Sequence, residues 1–144
     1  MHPLVNETRS KCGYSLLEVV AVMAILAVVS AFSYHNYLAW IPGIRLNGAV
    51  RQVMSDLIAA RMVSVKENVS VAVSSANTHS YTITIASQEP KTIDLHPNFP
   101  GTTLKFTTIS FTSRGTSSPR TITVQNTAGI KTITVAITGR VKSI

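Results

Sequence analysis

From Tyr14 to Tyr34 nearly every position is apolar or small, and Glu18 is the only charge. As a helix this run is about 30 Å long, enough to cross the hydrocarbon core of a bilayer. The pattern then changes period. Val50, Val53, Met54, Leu57, Ile58, Met62 and Val65 recur at three- and four-residue spacing, which predicts an amphipathic helix docking one face on a sheet. Arg45, Arg51, Gln52, Asp56 and Lys66 fall mostly off that stripe. Pro42-Gly43 lies between the two segments and predicts a kink or short break.

From Val69 onward the period falls to two. The predicted strands are 69–73, 81–85, 92–95, 104–111, 121–125 and 132–138. Leu104 and Phe106 fall out of step with Ile109 and Phe111, which predicts a bulge or two short strands. Asn126-Thr127-Ala128-Gly129 reads as a hairpin turn. The expected architecture is α+β: a long N-terminal helix, transmembrane in its first half and amphipathic in its second, packed on a mainly antiparallel sheet. By segment, residues 1–13 precede the apolar run, 14–41 form the apolar helix, 42–68 the amphipathic helix and 69–144 the β domain.

Charge sharpens this picture. There are 13 Lys plus Arg against 6 Asp plus Glu, a net +7, which suits anionic partners or simple solubility. Arg9 and Lys11 precede the apolar run and no basic residue follows until Arg45. The positive-inside rule then places the N-terminus in the cytoplasm and the β domain outside. Cys12 is the only cysteine, so neither an intramolecular disulfide nor a cysteine metal site can form.

Three readings of the N-terminal segment compete. A secretory signal peptide has a shorter apolar region ending in a small-residue cleavage site, which this run lacks. A plain anchor leaves the carboxylate of Glu18 as an uncompensated cost in lipid. In the third reading Glu18 finds a cation. A cut after Gly13 creates an α-amino group at Tyr14, one helical turn from Glu18, and a neighbouring copy of that terminus could neutralise the carboxylate.

The stretch Lys11-Cys12-Gly13-Tyr14-Ser15-Leu16-Leu17-Glu18 resembles the class III signal of type IV pilins and type II secretion pseudopilins. Tyr14 stands where Phe is usual and Cys12 where Arg is common. The resemblance implies cleavage after Gly13 by a prepilin peptidase on the cytoplasmic side, N-methylation of Tyr14 and an assembly role for Glu18. It further implies an inner-membrane anchor and other pilin or pseudopilin subunits as partners. Ala60-Arg61, the Lys66-Glu67-Asn68 exit, Ile109-Ser110-Phe111 with Arg114-Gly115, and Thr138-Gly139-Arg140-Val141 resemble the GspH/FimT group of that family.

No constellation for catalysis emerges. Beyond Glu18 only Asp56, Glu67, Glu89 and Asp94 are acidic, and His35, His79 and His96 show no ligand spacing. His35, Tyr34, Tyr37 and Trp40 fit an interfacial belt; the other two histidines read as loop residues. Neither a nucleophile elbow nor a phosphate-binding loop appears. The expectation is a protein that is not an enzyme and needs no cofactor or metal. Arg114, Arg120, Lys131, Arg140 and Lys142 crowd a C-terminal stretch without acidic residues, ending in what reads as a flexible basic tail. Two readings stay open. These cations contact DNA phosphates without reading sequence, as the resemblance to DNA-capturing FimT-like minor pilins implies; or they face solvent and neighbouring subunits.

Overall fold

The computed structural model describes residues 14–86 and 88–144, apart from the side chains of residues 32–36. Gly13 and the leader therefore lie outside the described residues, as do the side chains of Tyr34 and His35. The described chain divides into two units, with the boundary between Leu38 and Ala39.

One helix, α1, runs Leu16–Lys66 with Pro42 inside it. The expected break is absent. Proline's missing N–H leaves the helix one bond short, at the carbonyl of Leu38; separately, Asn126 Nδ2 donates to Pro42's own carbonyl at 2.6 Å. The helix ends at Lys66, and two residues on Asn68 takes φ 55°, the left-handed conformation that follows helix ends and that Asn tolerates. Val69 N–H bonds back to Ser64 O at 3.2 Å.

The strands are β1 (Val71–Ser75), β2 (Ser80–Ile85), β3 (Lys91–Asp94), β4 (Thr103–Lys105), β5 (Ile109–Phe111), β6 (Arg120–Asn126), β7 (Gly129–Val135) and β8 (Val141–Ser143). They form two antiparallel four-stranded sheets, in the orders β3-β2-β1-β5 and β4-β6-β7-β8. The out-of-step segment 104–111 is thus two strands, and they belong to different sheets. The hairpin turn closes as expected, Asn126 pairing with Gly129, with Asn126 Oδ1 accepting Ala128 N–H at 2.8 Å.

Two expectations need correction. The segment 132–138 leaves its strand at Val135 and turns, with Ala136 N–H on Arg140 O and Gly139 N–H on Ala136 O. The supposed flexible tail is strand β8, paired Val135↔Val141 and Thr134↔Lys142 on β7. Its polar sequence hides it, because an edge strand with one solvated face needs few apolar residues.

The core combines one face of α1 with the inner faces of both sheets. Leu46, Ala49, Val50, Val53, Leu57 and Ala60 meet Val71, Val73, Tyr81, Ile109 and Phe111 from one sheet and Leu104, Ile122, Val124, Ile133 and Val135 from the other. This shifts the expected stripe: Ile58, Met62 and Val65 are exposed, whereas Ala49, Ala60 and Ser64 are buried. Small residues let the helix approach closely. Gly48 does so most sharply, since a Cβ there would lie 2.4 Å from Phe99 Cε1.

A polar bridge joins helix to sheet. Tyr81, only 1% exposed, donates its phenol proton to Asp56 Oδ2, which also accepts from Gln52 Nε2 at 3.0 Å. Burial first, then the hydrogen bond and the charge of Asp56, push the Tyr81 phenol well above its ordinary value.

Candidate functional site

At the N-terminal end of α1, Glu18 lies in the first turn, its N–H bonded to Ser15 O at 3.0 Å. Tyr14 precedes it by one helical turn, and both are exposed. With Val19, Val22 and Met23 they line a shallow groove along one side of the helix. A carboxylate is therefore held against an otherwise apolar surface within a turn of Tyr14, the residue that cleavage after Gly13 would make terminal. Leu16, Leu17, Val19, Val20, Val22, Met23, Ile25, Leu26, Val28 and Val29 are all exposed, so this unit presents an apolar surface all round. Among the described residues, no helix is long and apolar enough to cross a membrane; the described side chains of the apolar run stop at Ala31.

The C-terminal motifs converge on Arg61. Arg61 Nε donates to Gly115 O at 3.0 Å, joining residues 54 positions apart. Gly115 and Gly139 both occupy left-handed turns, at φ 74° and 73°. A Cβ on Gly139 would lie 2.1 Å from Gly115 O and 2.6 Å from Arg61 Nε, and one on Gly115 would lie 2.8 Å from Val65 Cγ2. Two turns thus stack backbone to backbone against one guanidinium, which only residues without Cβ permit. Ser117 locks them together, its N–H on Ile137 O at 3.0 Å and its Oγ on Ala136 O at 3.0 Å. Arg114 and Arg140, each adjacent in sequence to one of these glycines, are exposed.

The other expected cations divide. Arg120 starts β6 opposite Val135, which is itself opposite Val141, so it belongs to the same end of the sheet as Arg140 and Lys142. Lys131 pairs with Val124 near the Asn126–Gly129 turn, four residues and about 13 Å back along β7. It stands apart from the cluster. In the sequence Arg61 stands out only as part of a motif, and nothing local marks it as a site residue. That motif is the Ala60-Arg61 pair on a helix whose buried face continues through Ser64.

An apolar helix that leads into an amphipathic half, packed in turn on antiparallel sheets, defines the class of pilin-like subunits. In fold the chain is similar to the Pseudomonas aeruginosa (strain PAO1) type IV minor pilin FimU, with TM-score 0.57 and 20% identity over 67% of this chain and 86% of that one. It is equally similar to the minor pseudopilin EpsH from the type 2 secretion system of Vibrio cholerae, with TM-score 0.57 and 12% identity over 69% of this chain and 96% of that one. No curated protein matches. The family model for type II transport protein GspH matches residues 49–139, and that for the prokaryotic N-terminal methylation motif matches residues 8–34. The chain belongs to the GspH family and carries a prepilin-type methylation motif.

Proposed function

We propose that this protein is a minor subunit of a type II secretion pseudopilus or a type IV pilus, a structural component and not an enzyme. Prepilin peptidase removes residues 1–13 by cutting after Gly13, and the new terminus at Tyr14 is N-methylated. Residues 14–41 anchor the chain in the bacterial inner membrane with its β domain in the periplasm, until assembly with other subunits draws it into the filament. The observation that carries this reading is the Tyr14–Glu18 turn. It begins an apolar helix inside the segment that matches the methylation motif. A carboxylate in an apolar surround demands a cation, and a neighbouring subunit's methylated amine provides one at a fixed depth. Coexpression with a prepilin peptidase should yield a mass corresponding to a chain beginning at methyl-Tyr14. Glu18→Ala should leave membrane insertion intact yet drop out of purified filaments. An intact leader in the first experiment, or normal incorporation of the variant, refutes the reading.

A second reading has its own support in the paired turns on Arg61. They bring together Gly115 and Gly139, the sequence neighbours of the exposed Arg114 and Arg140, with Arg120 and Lys142 at the same end of the sheet, and these cations suit phosphates. In this reading the subunit also binds DNA non-specifically. Full-length protein titrated with duplex DNA should bind with a dissociation constant of about 10⁻⁴–10⁻⁶ M, weakening steeply with salt. Arg114→Ala/Arg140→Ala should lower the salt slope while Lys131→Ala leaves it nearly unchanged. Absence of binding at low salt leaves a purely structural subunit.

A further inference from the structure

Loops at one end of the first sheet enclose an open polar cleft of about 580 Å³, lined by Asn77, Thr78, His79, Ser80, Asp94 and His96. Assembly at the helix and cation display at Arg61 use none of these residues. The two histidines are distant in sequence, yet the pairing Ser80↔Asp94 between β2 and β3 brings their loops together. Their ring centroids lie 5.5 Å apart at an interplanar angle of 71°.

That spacing is one a shared ion allows. With metal–nitrogen bonds of about 2.0–2.1 Å, the centres of two imidazoles sharing one tetrahedral ion stand about 5–5.5 Å apart. The tautomer also fits. His79 Nδ1 lies 2.8 Å from Thr102 O; a carbonyl only accepts, so Nδ1 carries the proton and the neutral ring keeps its lone pair on Nε2. Imidazoles that bind metals characteristically spend their second nitrogen in this way. Asp94 Oδ1 accepts the His96 backbone N–H at 2.8 Å, which leaves Oδ2 for another partner.

The loops are fixed in place. His79 O accepts Leu95 N–H at 2.9 Å and Thr78 O accepts Leu104 N–H at 2.6 Å, while Ala76 and Asn77 N–H both bond to Ser80 O. Among the described residues no three histidine, cysteine or acidic side chains are gathered as a ligand set. The protein thus contributes two nitrogens, and water fills the remaining positions.

We propose that His79 and His96 form a two-imidazole site for a divalent transition metal of the zinc class, which favours imidazole over purely oxygen ligands. His79 ends the β1–β2 connection of one sheet. His96 begins the segment that carries Phe99 to Gly48 of α1 and then enters β4 of the other sheet. A bound ion would tie together the two loops that flank the β2–β3 pair at this end of the first sheet and stabilise the fold by mass action.

The test uses detergent-solubilised, tag-free, metal-stripped full-length protein titrated calorimetrically with Zn²⁺, together with a thermal melt. One Zn²⁺ per chain should bind and raise the midpoint of unfolding. His79→Ala and His96→Ala should each weaken binding at least tenfold and abolish the thermal shift, while His35→Ala keeps both. Because His79 also holds Thr102 O, His96→Ala decides the matter: its ring is exposed and its loss leaves the loop bonds intact. Unaltered binding in His96→Ala, or no saturable binding to the wild-type chain, overturns the proposal.

Discussion

Replacing Gly139 by alanine tests whether the turn pair on Arg61 organises the C-terminal half. Three costs act together. A non-glycine residue at φ 73° loses about 1–2 kcal/mol to Cβ–carbonyl crowding. The added Cβ would stand 2.1 Å from Gly115 O, so one turn must withdraw from the other. Arg61 Nε, 2.6 Å from the same Cβ, must retreat from a half-buried bond to Gly115 O, a charge-assisted bond worth about 1.5–3 kcal/mol. The total is about 3–5 kcal/mol, a large share of a small domain's stability. Gly101 provides the comparison, since it has φ 79° but open space around its Cβ position, so Gly101→Ala should bear only the first cost, about 1–2 kcal/mol. Urea unfolding of both variants, followed by near-UV circular dichroism of the β domain, measures the difference. Equal costs for Gly139→Ala and Gly101→Ala would refute the argument, because the stacked turns would then contribute nothing beyond their dihedral angles.

Two further predictions concern the ties between helix and sheets. The raised Tyr81 phenol binds its proton more tightly folded than unfolded, so its contribution is complete below pH 10. As pH rises past about 10 the unfolded chain ionises first and stability falls, by up to about 1.4 kcal/mol per pH unit. Tyr81→Phe should flatten that alkaline decline in denaturation curves while losing about 1.5–3 kcal/mol at neutral pH from the abandoned Asp56 carboxylate; an equally steep decline in the variant would exclude Tyr81 as its source. Asn126→Ala removes both the Pro42 anchor and the Asx bond to Ala128, so calorimetric melting should show a loss of about 1–3 kcal/mol, and a neutral effect would mean that solvent replaces both bonds.

How much of this was legible in the sequence depended on the range of the interaction that decided each feature. The two halves of the helix, the hairpin turn at Asn126 and an irregularity within 104–111 are local patterns and readable; that the helix continues through Pro42 and that 104–111 divides between two sheets are not. The helix face was read only in part, because large apolar residues draw attention and the helix buries Ala49, Ala60 and Ser64 while leaving Met62 and Val65 in the open. Strand β8 was missed because Val-Lys-Ser carries no alternation that outweighs its polarity. The helix runs on through Pro42, and the bond that Asn126 makes to the Pro42 carbonyl comes from far along the chain, where no local pattern announces it. At the candidate site, the four-residue spacing of Tyr14 and Glu18 in an apolar run is plain in the sequence. The meeting of Arg61, Gly115 and Gly139 is not, since left-handed turns declare themselves only through a fold that brings their backbones into contact.

The order of strands along the chain has one more consequence. The first sheet takes β1, β2 and β3, the second takes β4, then β5 returns to the first before β6, β7 and β8 complete the second. The two sheets are interleaved. No single scission between strands separates them, for every cut strands β4 or β5 on the wrong side of the break. Neither half is therefore a self-sufficient fragment, and neither sheet can be lost while the other keeps all its strands in one continuous piece of chain. The β domain is in this sense topologically indivisible, which ties its unfolding into one cooperative event.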